Sequence, residues 1–269
     1  MPEASSPSAL PPRVRAFLSD ARSDPSRTLL ALDIDGTISE IAPTPEEAEV
    51  TPRMRGLLAR LAEAYPLAFL SGRDAEVARR MAAVPKAVYV GAHGLETLDQ
   101  EGLRSALDRE GFVRRAQTMA EAVRGDVPEV GPHIETKRWG VGFHYRQIDE
   151  PALVERLLKS IERHLPRGLR VRYGKKVAEV VPDVAADKGT AVRELMERLG
   201  PRRVLALGDD RTDVATFRAL EEGRTRGWAF LRVAVLGSDE PPPELLASAD
   251  YRVRGVEGTY DLLSQLLDG

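Results

Sequence analysis

Thr28-Leu29-Leu30-Ala31-Leu32 runs directly into Asp33-Ile34-Asp35-Gly36-Thr37, and the junction between these two pentapeptides decides the fold. The first has the length and unbroken apolar character of a strand buried on both faces, as in a parallel sheet. Two carboxylates then stand at its carboxyl end, the edge at which open α/β sheets bind ligands. Continued alternation would point residues 33 and 35 the same way, so both acids are expected to face one site. Carboxylates aimed at one point repel unless a cation or a shared proton intervenes. A bound metal or a strongly shifted pKa is therefore expected. Asp, Gly and Thr are also ordinary turn residues, so this pentapeptide alone leaves a solvated turn open.

Three further pieces follow in a fixed order. Leu67-Ala68-Phe69-Leu70 leads into Ser71-Gly72-Arg73, Asp187-Lys188-Gly189 opens the helical stretch Thr190–Leu199, and Val204-Leu205-Ala206-Leu207 leads into Gly208-Asp209-Asp210-Arg211-Thr212-Asp213. In these residues and this order the chain resembles the haloacid dehalogenase superfamily of phosphotransferases, over nearly its whole length after the first two dozen residues. The resemblance implies an α/β, Rossmann-like parallel-sheet hydrolase core.

The chemistry accounts for the residue types. A phosphate monoester is doubly negative and hydrolyses slowly, so an enzyme must hold it, neutralise it and protonate the leaving oxygen. A carboxylate nucleophile, here Asp33, splits the reaction into two steps through an acyl phosphate. Asp35 is expected to protonate the leaving oxygen and later to deprotonate the attacking water. A hard cation, Mg²⁺, is expected on the Asp33 carboxylate, the Asp35 backbone carbonyl and Asp209, with Asp210 and Asp213 as further ligands or outer groups. Ser71 and the backbone at Gly72 would donate to phosphoryl oxygens while Lys188 opposes their charge. Thr37, Arg73, His93 and Gly94 complete the substrate side.

Composition bounds the remaining choices. The 269 residues are 42% hydrophobic and 30% charged, which suits a globular chain of one large or two modest domains. A net charge of −3 offers no broad basic surface for nucleic acid, and the absence of cysteine removes disulfides, zinc thiolates and thiol catalysis. No apolar stretch approaches the roughly 20 residues of a membrane span, and residues 1–12 lack the pattern of a signal peptide. A cytoplasmic protein is expected. Only six of the 39 basic residues are lysine, so Lys137, Lys175 and Lys188, all near motifs, are read as positions that need a compact ammonium rather than a planar guanidinium.

Between Ser71 and Lys188 the insertion is too long for a simple crossover. Asp74–Met81 reads as a helix and Ala87–Val90 as a further core strand. Leu107–Val123 and Pro151–His164 then have helical spacing, while His133–Arg146 and Leu169–Val181 read as strand pairs. The expected organisation is an N-terminal segment (1–24), a discontinuous core (25–105 and 183–269) and an inserted, smaller α+β cap domain (106–182). A cap sitting over the site would choose the substrate, because the core motifs recognise only phosphate. Val233–Leu236 and Tyr251–Val253 read as the last core strands, and Gly237–Pro243 as a loop.

The insertion carries Glu135-Thr136-Lys137, Phe143-His144-Tyr145-Arg146 and Gly174-Lys175-Lys176-Val177-Ala178-Glu179 with Pro182 following. These segments resemble the cap signature of trehalose-6-phosphate phosphatases. Ile41, Pro43 and Ala48 after the first motif, and His93-Gly94 with Glu96, fit the same family. The resemblance implies that Glu135, Lys137, Arg146, Lys175 and Glu179 hydrogen-bond sugar hydroxyls, and that the small-molecule partner is a sugar phosphate. It also implies a transient contact with trehalose-6-phosphate synthase. Charges of this kind also form salt bridges on solvated sheet faces. His144 reads as a packing residue, and Trp139 and Tyr145 either line the sugar site or belong to the core. The chain departs from the family at Val214 and Ala215, where two further acids are common. A phosphatase for another sugar ester, such as sucrose phosphate or mannosyl-phosphoglycerate, and a non-catalytic sugar-phosphate sensor remain the alternatives.

Overall fold

The computed structural model describes residues 10–44, 46–105, 107–174, 176–237 and 240–267. The chain divides into two compact units, Met1–Arg104 with Ala186–Gly269, and Ser105–Ala185.

In the first unit the elements run α1 (Pro12–Ser23), β1 (Thr28–Leu32), α2 (Pro52–Leu61), β2 (Leu67–Leu70), α3 (Ala75–Ala82), β3 (Val88–Gly91), β4 (Glu96–Asp99) and β5 (Gly102–Arg104). In the second, α4 (Arg109–Asp126), β6 (His133–Lys137), β7 (Gly140–His144), α5 (Pro151–His164), β8 (Leu169–Gly174) and β9 (Val177–Pro182) follow. The chain then returns through α6 (Lys188–Leu199), β10 (Arg203–Gly208), α7 (Asp213–Glu222), β11 (Ala229–Leu236), α8 (Pro243–Ser248), β12 (Tyr251–Arg254) and α9 (Gly255–Ser264).

The eight-stranded sheet of the first unit has the order β12-β11-β10-β1-β2-β3-β4-β5. Every pairing from β12 to β3 is parallel, and only the β3–β4–β5 meander at one edge is antiparallel. All five residues of β1 are buried, because helices cover both faces. Leu30 and Leu32 pack with side chains of α1, α2, α3 and α9. Leu29 and Ala31 pack with side chains of α6 and α7 on the opposite face. Strand order reverses between β1 and β10, so the carboxyl ends of these two neighbours form the topological switch point where doubly wound sheets place ligands.

The second unit is a four-stranded antiparallel sheet, β6-β7-β9-β8. Val141, Phe143, Ala178 and Val180 on one face pack against Met119, Val123, Leu157 and Ile161 of α4 and α5. The other face is polar.

The fold class matches the expectation from sequence, with local corrections. The β4–β5 hairpin was not anticipated, because its strands mix acids with few apolar residues and only Glu96 and Leu98 are buried. Strand β11 starts at Ala229, four residues earlier than its apolar core suggests. Trp139 and Tyr145 are buried. Among the described residues, no helix is long and apolar enough to cross a membrane.

Candidate active site

After Leu32 the backbone leaves β1 through a tight turn, in which Thr37, Ile38 and Ser39 all donate to the Ile34 carbonyl. Strand alternation therefore stops short of the two acids, and Asp33 and Asp35 acquire different partners. Gly36 sits at φ +79, and a Cβ there would stand 2.0 Å from an oxygen of Asp209. Glycine is required by both conformation and space, and its bareness lets the β10 acid lie against the β1 turn.

Asp33 is buried, and its Oδ1 accepts from Lys188 Nζ at 2.6 Å. The same ammonium donates to Asp213 Oδ1 at 2.7 Å. Asp213 Oδ2 in turn accepts from the backbone N–H groups of Asp209 and Asp210 at 3.0 and 3.1 Å. Both oxygens of Asp213 are thus engaged, and that side chain shapes the loop after β10. Lys188 is the first residue of α6, whose N-cap Asp187 exchanges hydrogen bonds with Thr190 in a capping box. This cap fixes where the helix begins and so where the ammonium enters the acid cluster.

Asp33, Asp209 and Asp213 each offer a carboxylate oxygen, all within 4.8 Å of one another. Burial, and then repulsion from Asp213 and Asp209, hold Asp33 well above the usual carboxylate range against the pull of Lys188. Asp209 is pushed up to about 7 by burial, Asp213 and Asp210, and burial raises Asp213 despite Lys188. Burial alone would lower Lys188, but Asp213 and Asp33 outweigh it and raise it. One ammonium against three gathered carboxylates leaves excess negative charge. An all-oxygen donor set of that charge fits a hard divalent cation.

Asp35 is held elsewhere. Arg73 Nε and Nη2 donate to its two oxygens, each at 2.7 Å, a bidentate clamp with directional strength. Ser71 is fully buried after β2, and its Oγ accepts from the Arg73 backbone N–H at 3.1 Å. The segment Ala92-His93-Gly94 has three successive positive φ values, 49, 57 and 105. Ala92 donates to the Arg73 carbonyl and His93 to the Ser71 carbonyl. The imidazole therefore lies over Gly72, where a Cβ would come within 2.8 Å of the ring. A left-handed pair of non-glycine residues is strained, and here it brings a titratable ring to the Ser71–Arg73 loop.

The polar face of the second unit gathers Glu135 and Lys137 of β6, His144 of β7, Glu179 of β9 and Arg172 of β8. Lys137 Nζ lies 3.3 Å from Glu135 and 2.9 Å from Glu179. Burial works against ionising these acids. Even so, His144 and Lys137 hold Glu135 below its usual range, and Lys137 and Arg172 hold Glu179 below it.

Residues 31–247 match the family model described as trehalose-phosphatase. This chain belongs to the trehalose-phosphatase family. A trehalose-phosphate phosphatase of Mycobacterium avium is 33% identical over 250 residues, covering 88% of this chain and 62% of that protein. The probable trehalose-phosphate phosphatase G of Arabidopsis thaliana is 30% identical over 74% of this chain and 60% of its own. An uncharacterized glycosyl hydrolase of Mycobacterium tuberculosis is 35% identical over 89% of this chain, which spans only 18% of that relative. Among solved structures, an Aspergillus fumigatus trehalose-6-phosphate phosphatase superposes with a TM-score of 0.70 at 23% identity, over 94% of this chain and 97% of its own. A haloacid dehalogenase-like hydrolase from Bacteroides thetaiotaomicron gives 0.62 at 16% identity, over 89% and 99%. The fold is that of the haloacid dehalogenase superfamily.

In this chain the structure brings together Asp33, Lys188, Asp209 and Asp213. It does not bring the Asp35 and Asp210 side chains into that cluster. Arg73 engages Asp35, and Asp210 Oδ1 accepts from the Thr212 backbone and hydroxyl, both at 2.6 Å. Thr37 is fully buried, and its hydroxyl has no hydrogen-bond partner among the described residues. Gly94 has space for no side chain beside the Asp187 carbonyl. Arg146 is exposed, and Lys175 lies outside the described residues. His144 is not a packing residue: its Nε2 meets Glu135 at 2.8 Å on the polar face. Arg172 was not anticipated either, although alternation along Leu169-Arg170-Val171-Arg172-Tyr173 signals its side.

Proposed function

We propose that this chain hydrolyses trehalose 6-phosphate to trehalose and phosphate through an aspartyl phosphate on Asp33. The observation that carries the reading is the pairing of Asp33 with Lys188 at the switch point, beside Asp209 and Asp213. Membership of the trehalose-phosphatase family supports the choice of substrate.

In the first half-reaction a carboxylate oxygen of Asp33 bonds to phosphorus as the bond to the sugar O6 breaks. Asp35 gives its proton to that oxygen. In the second half a water attacks phosphorus, Asp35 takes the water's proton, and the Asp33–phosphorus bond breaks to free phosphate. Arg73 occupies both Asp35 oxygens, so each transfer requires Asp35 to release at least one of those contacts. Lys188 faces the phosphoryl oxygens from the Asp33 side, and Ser71 with the Gly72 backbone donates to them. Asp33 and Asp209, in the loop shaped by Asp213, would hold Mg²⁺, whose positive charge would keep the carboxylates ionised and offset that of the phosphoryl group. Glu135, Lys137 and Glu179 choose the sugar through its hydroxyls.

Phosphate release in the presence of Mg²⁺ tests the reading. Trehalose 6-phosphate is compared with sucrose 6-phosphate, glucose 6-phosphate and mannosyl-3-phosphoglycerate, with the Asp33→Asn protein as blank. Preference for trehalose 6-phosphate supports chemistry and substrate together. Preference for another ester keeps the Asp33 mechanism and overturns the substrate, and release from none overturns both.

A further inference from the structure

On the polar face of the second unit, five ionisable side chains form an unbroken chain across all four strands. His144 Nε2 lies 2.8 Å from Glu135 Oε2, and Lys137 Nζ lies 3.3 Å from that same oxygen. Lys137 continues to Glu179 Oε1 at 2.9 Å. Arg172 closes the chain, its Nε and Nη2 donating to Glu179 Oε2 at 3.0 and 2.6 Å. Glu135, Gly142, Glu179 and Arg172 share one cross-strand row.

Gly142 matters at the centre of that row. A Cβ there would stand 3.0 Å from Lys137 Cε and 3.5 Å from His144 Nε2. The long side chains of the neighbouring positions fold over β7 because nothing projects from it.

The chain has inner and outer members. Glu135, Lys137 and Glu179 present acceptor, donor and acceptor in sequence, which complements neighbouring hydroxyls that both donate and accept. The Lys137 ammonium meets both acids, so a donor stands between two acceptors. His144 and Arg172 act at the two ends, each on a carboxylate and neither on Lys137. Carboxylates with several rotamers bind a diol weakly unless something fixes them beforehand.

We propose that Arg172 and His144 are positioning residues for substrate selection, holding Glu179 and Glu135 at a fixed spacing about Lys137 so that the three match adjacent sugar hydroxyls. The inference rests on the reading of this face as the sugar-recognising one. Exposed ion pairs contribute little to stability, so the role shows in selectivity rather than folding.

The test is a KM-against-kcat split between a sugar ester and p-nitrophenyl phosphate, which carries no sugar. Wild-type protein is first assayed on the sugar-phosphate panel, and the preferred ester becomes the probe. Arg172→Gln and His144→Leu should raise KM for that ester about tenfold, the scale of losing one charge-assisted contact. Kinetics on p-nitrophenyl phosphate should move far less. Arg172→Lys and His144→Gln, which retain a donor, should recover most of the loss. Because Arg172 acts through Glu179, Arg172→Gln should add little in a Glu179→Gln background. Equal shifts on both substrates, no shift on either, or full additivity would overturn the inference. A wild-type preference for a sugar other than trehalose overturns the substrate reading alone, and the variants then test the positioning role on that ester. Hydrolysis of p-nitrophenyl phosphate without hydrolysis of any sugar ester overturns both.

Discussion

The two units each build a run of carboxylates around a lysine, with opposite electrostatic outcomes. In the first unit Lys188 lies buried between Asp33 and Asp213, and these acids together with Asp209 are pushed upward. In the second, Lys137 bridges Glu135 and Glu179 at the surface, and both acids are held below their usual range. The difference is burial combined with charge balance. Desolvation and surplus acids dominate where water is excluded, whereas in the second unit Lys137 serves both acids, with Arg172 donating to Glu179 and His144 hydrogen-bonding Glu135. The buried cluster carries the excess negative charge that the proposed cation would balance, while the half-exposed chain pairs its charges internally and can exchange its hydrogen bonds for those of a polar ligand.

The sharpest way to break this contrast is at Asp33. Asp33→Asn should lower turnover by at least about a thousandfold, since the proposed nucleophile is lost. Its Tm should not fall, because one of three mutually repelling carboxylates has become neutral. Residual turnover near the wild-type level would remove Asp33 from the reaction.

Matched substitutions of the two lysines come next. Lys188→Met leaves buried acids without their ammonium and should cost about 3 kcal/mol or more in urea unfolding. Lys137→Met should cost under about 1 kcal/mol while changing selectivity among sugar esters. Similar losses would mean that burial does not separate the two clusters.

A smaller effect is expected from pH in cation-free protein. Asp209 has a folded pKa of about 7 against an ordinary value of 3.8, so between these values the folded state holds a proton that the unfolded state has lost. Stability must then fall as pH rises from about 4 to about 7, and Asp33 and Asp213 act in the same direction. Thermal melts in EDTA across this range should show the decline, and added Mg²⁺ should flatten it. Rising stability would contradict the electrostatic account of the cluster.

The smallest effect concerns backbone alone. Lys176 occupies a left-handed conformation at φ 63 in the turn between β8 and β9. Lys176→Gly should raise stability by up to about 1 kcal/mol by relieving that strain, without the selectivity change expected at Lys137.

The sheet of the first unit was legible because β1, β2 and β10 are uninterrupted apolar runs ended by acids, serine or glycine, and burial on both faces leaves few other readings. The β4–β5 hairpin was not, since short edge strands with one covered face carry a mixed composition. In the site, the residues before each turn announced themselves, but partners distant in sequence did not. Nothing local says that Arg73 closes on Asp35, or that Asp213 rather than Asp210 is the buried acid of its loop. The side of His144 was legible in retrospect: Gly140, Gly142 and His144 alternate with Val141, Phe143 and Tyr145, which point inward.

The discontinuity of the first unit has a consequence in time. Strand β1 needs β10 as a neighbour, and Asp33 needs a lysine that lies 155 residues further along the chain. At ribosomal rates that interval is on the order of ten seconds. For that long the nascent protein carries a strand destined for full burial with one edge unmatched, and an Asp33 without its counter-charge. Unpaired strand edges invite association with other chains. The second unit, a contiguous segment with its own core, can fold in the interval, so a chaperone's demand should fall on the first half-built sheet rather than on the insertion.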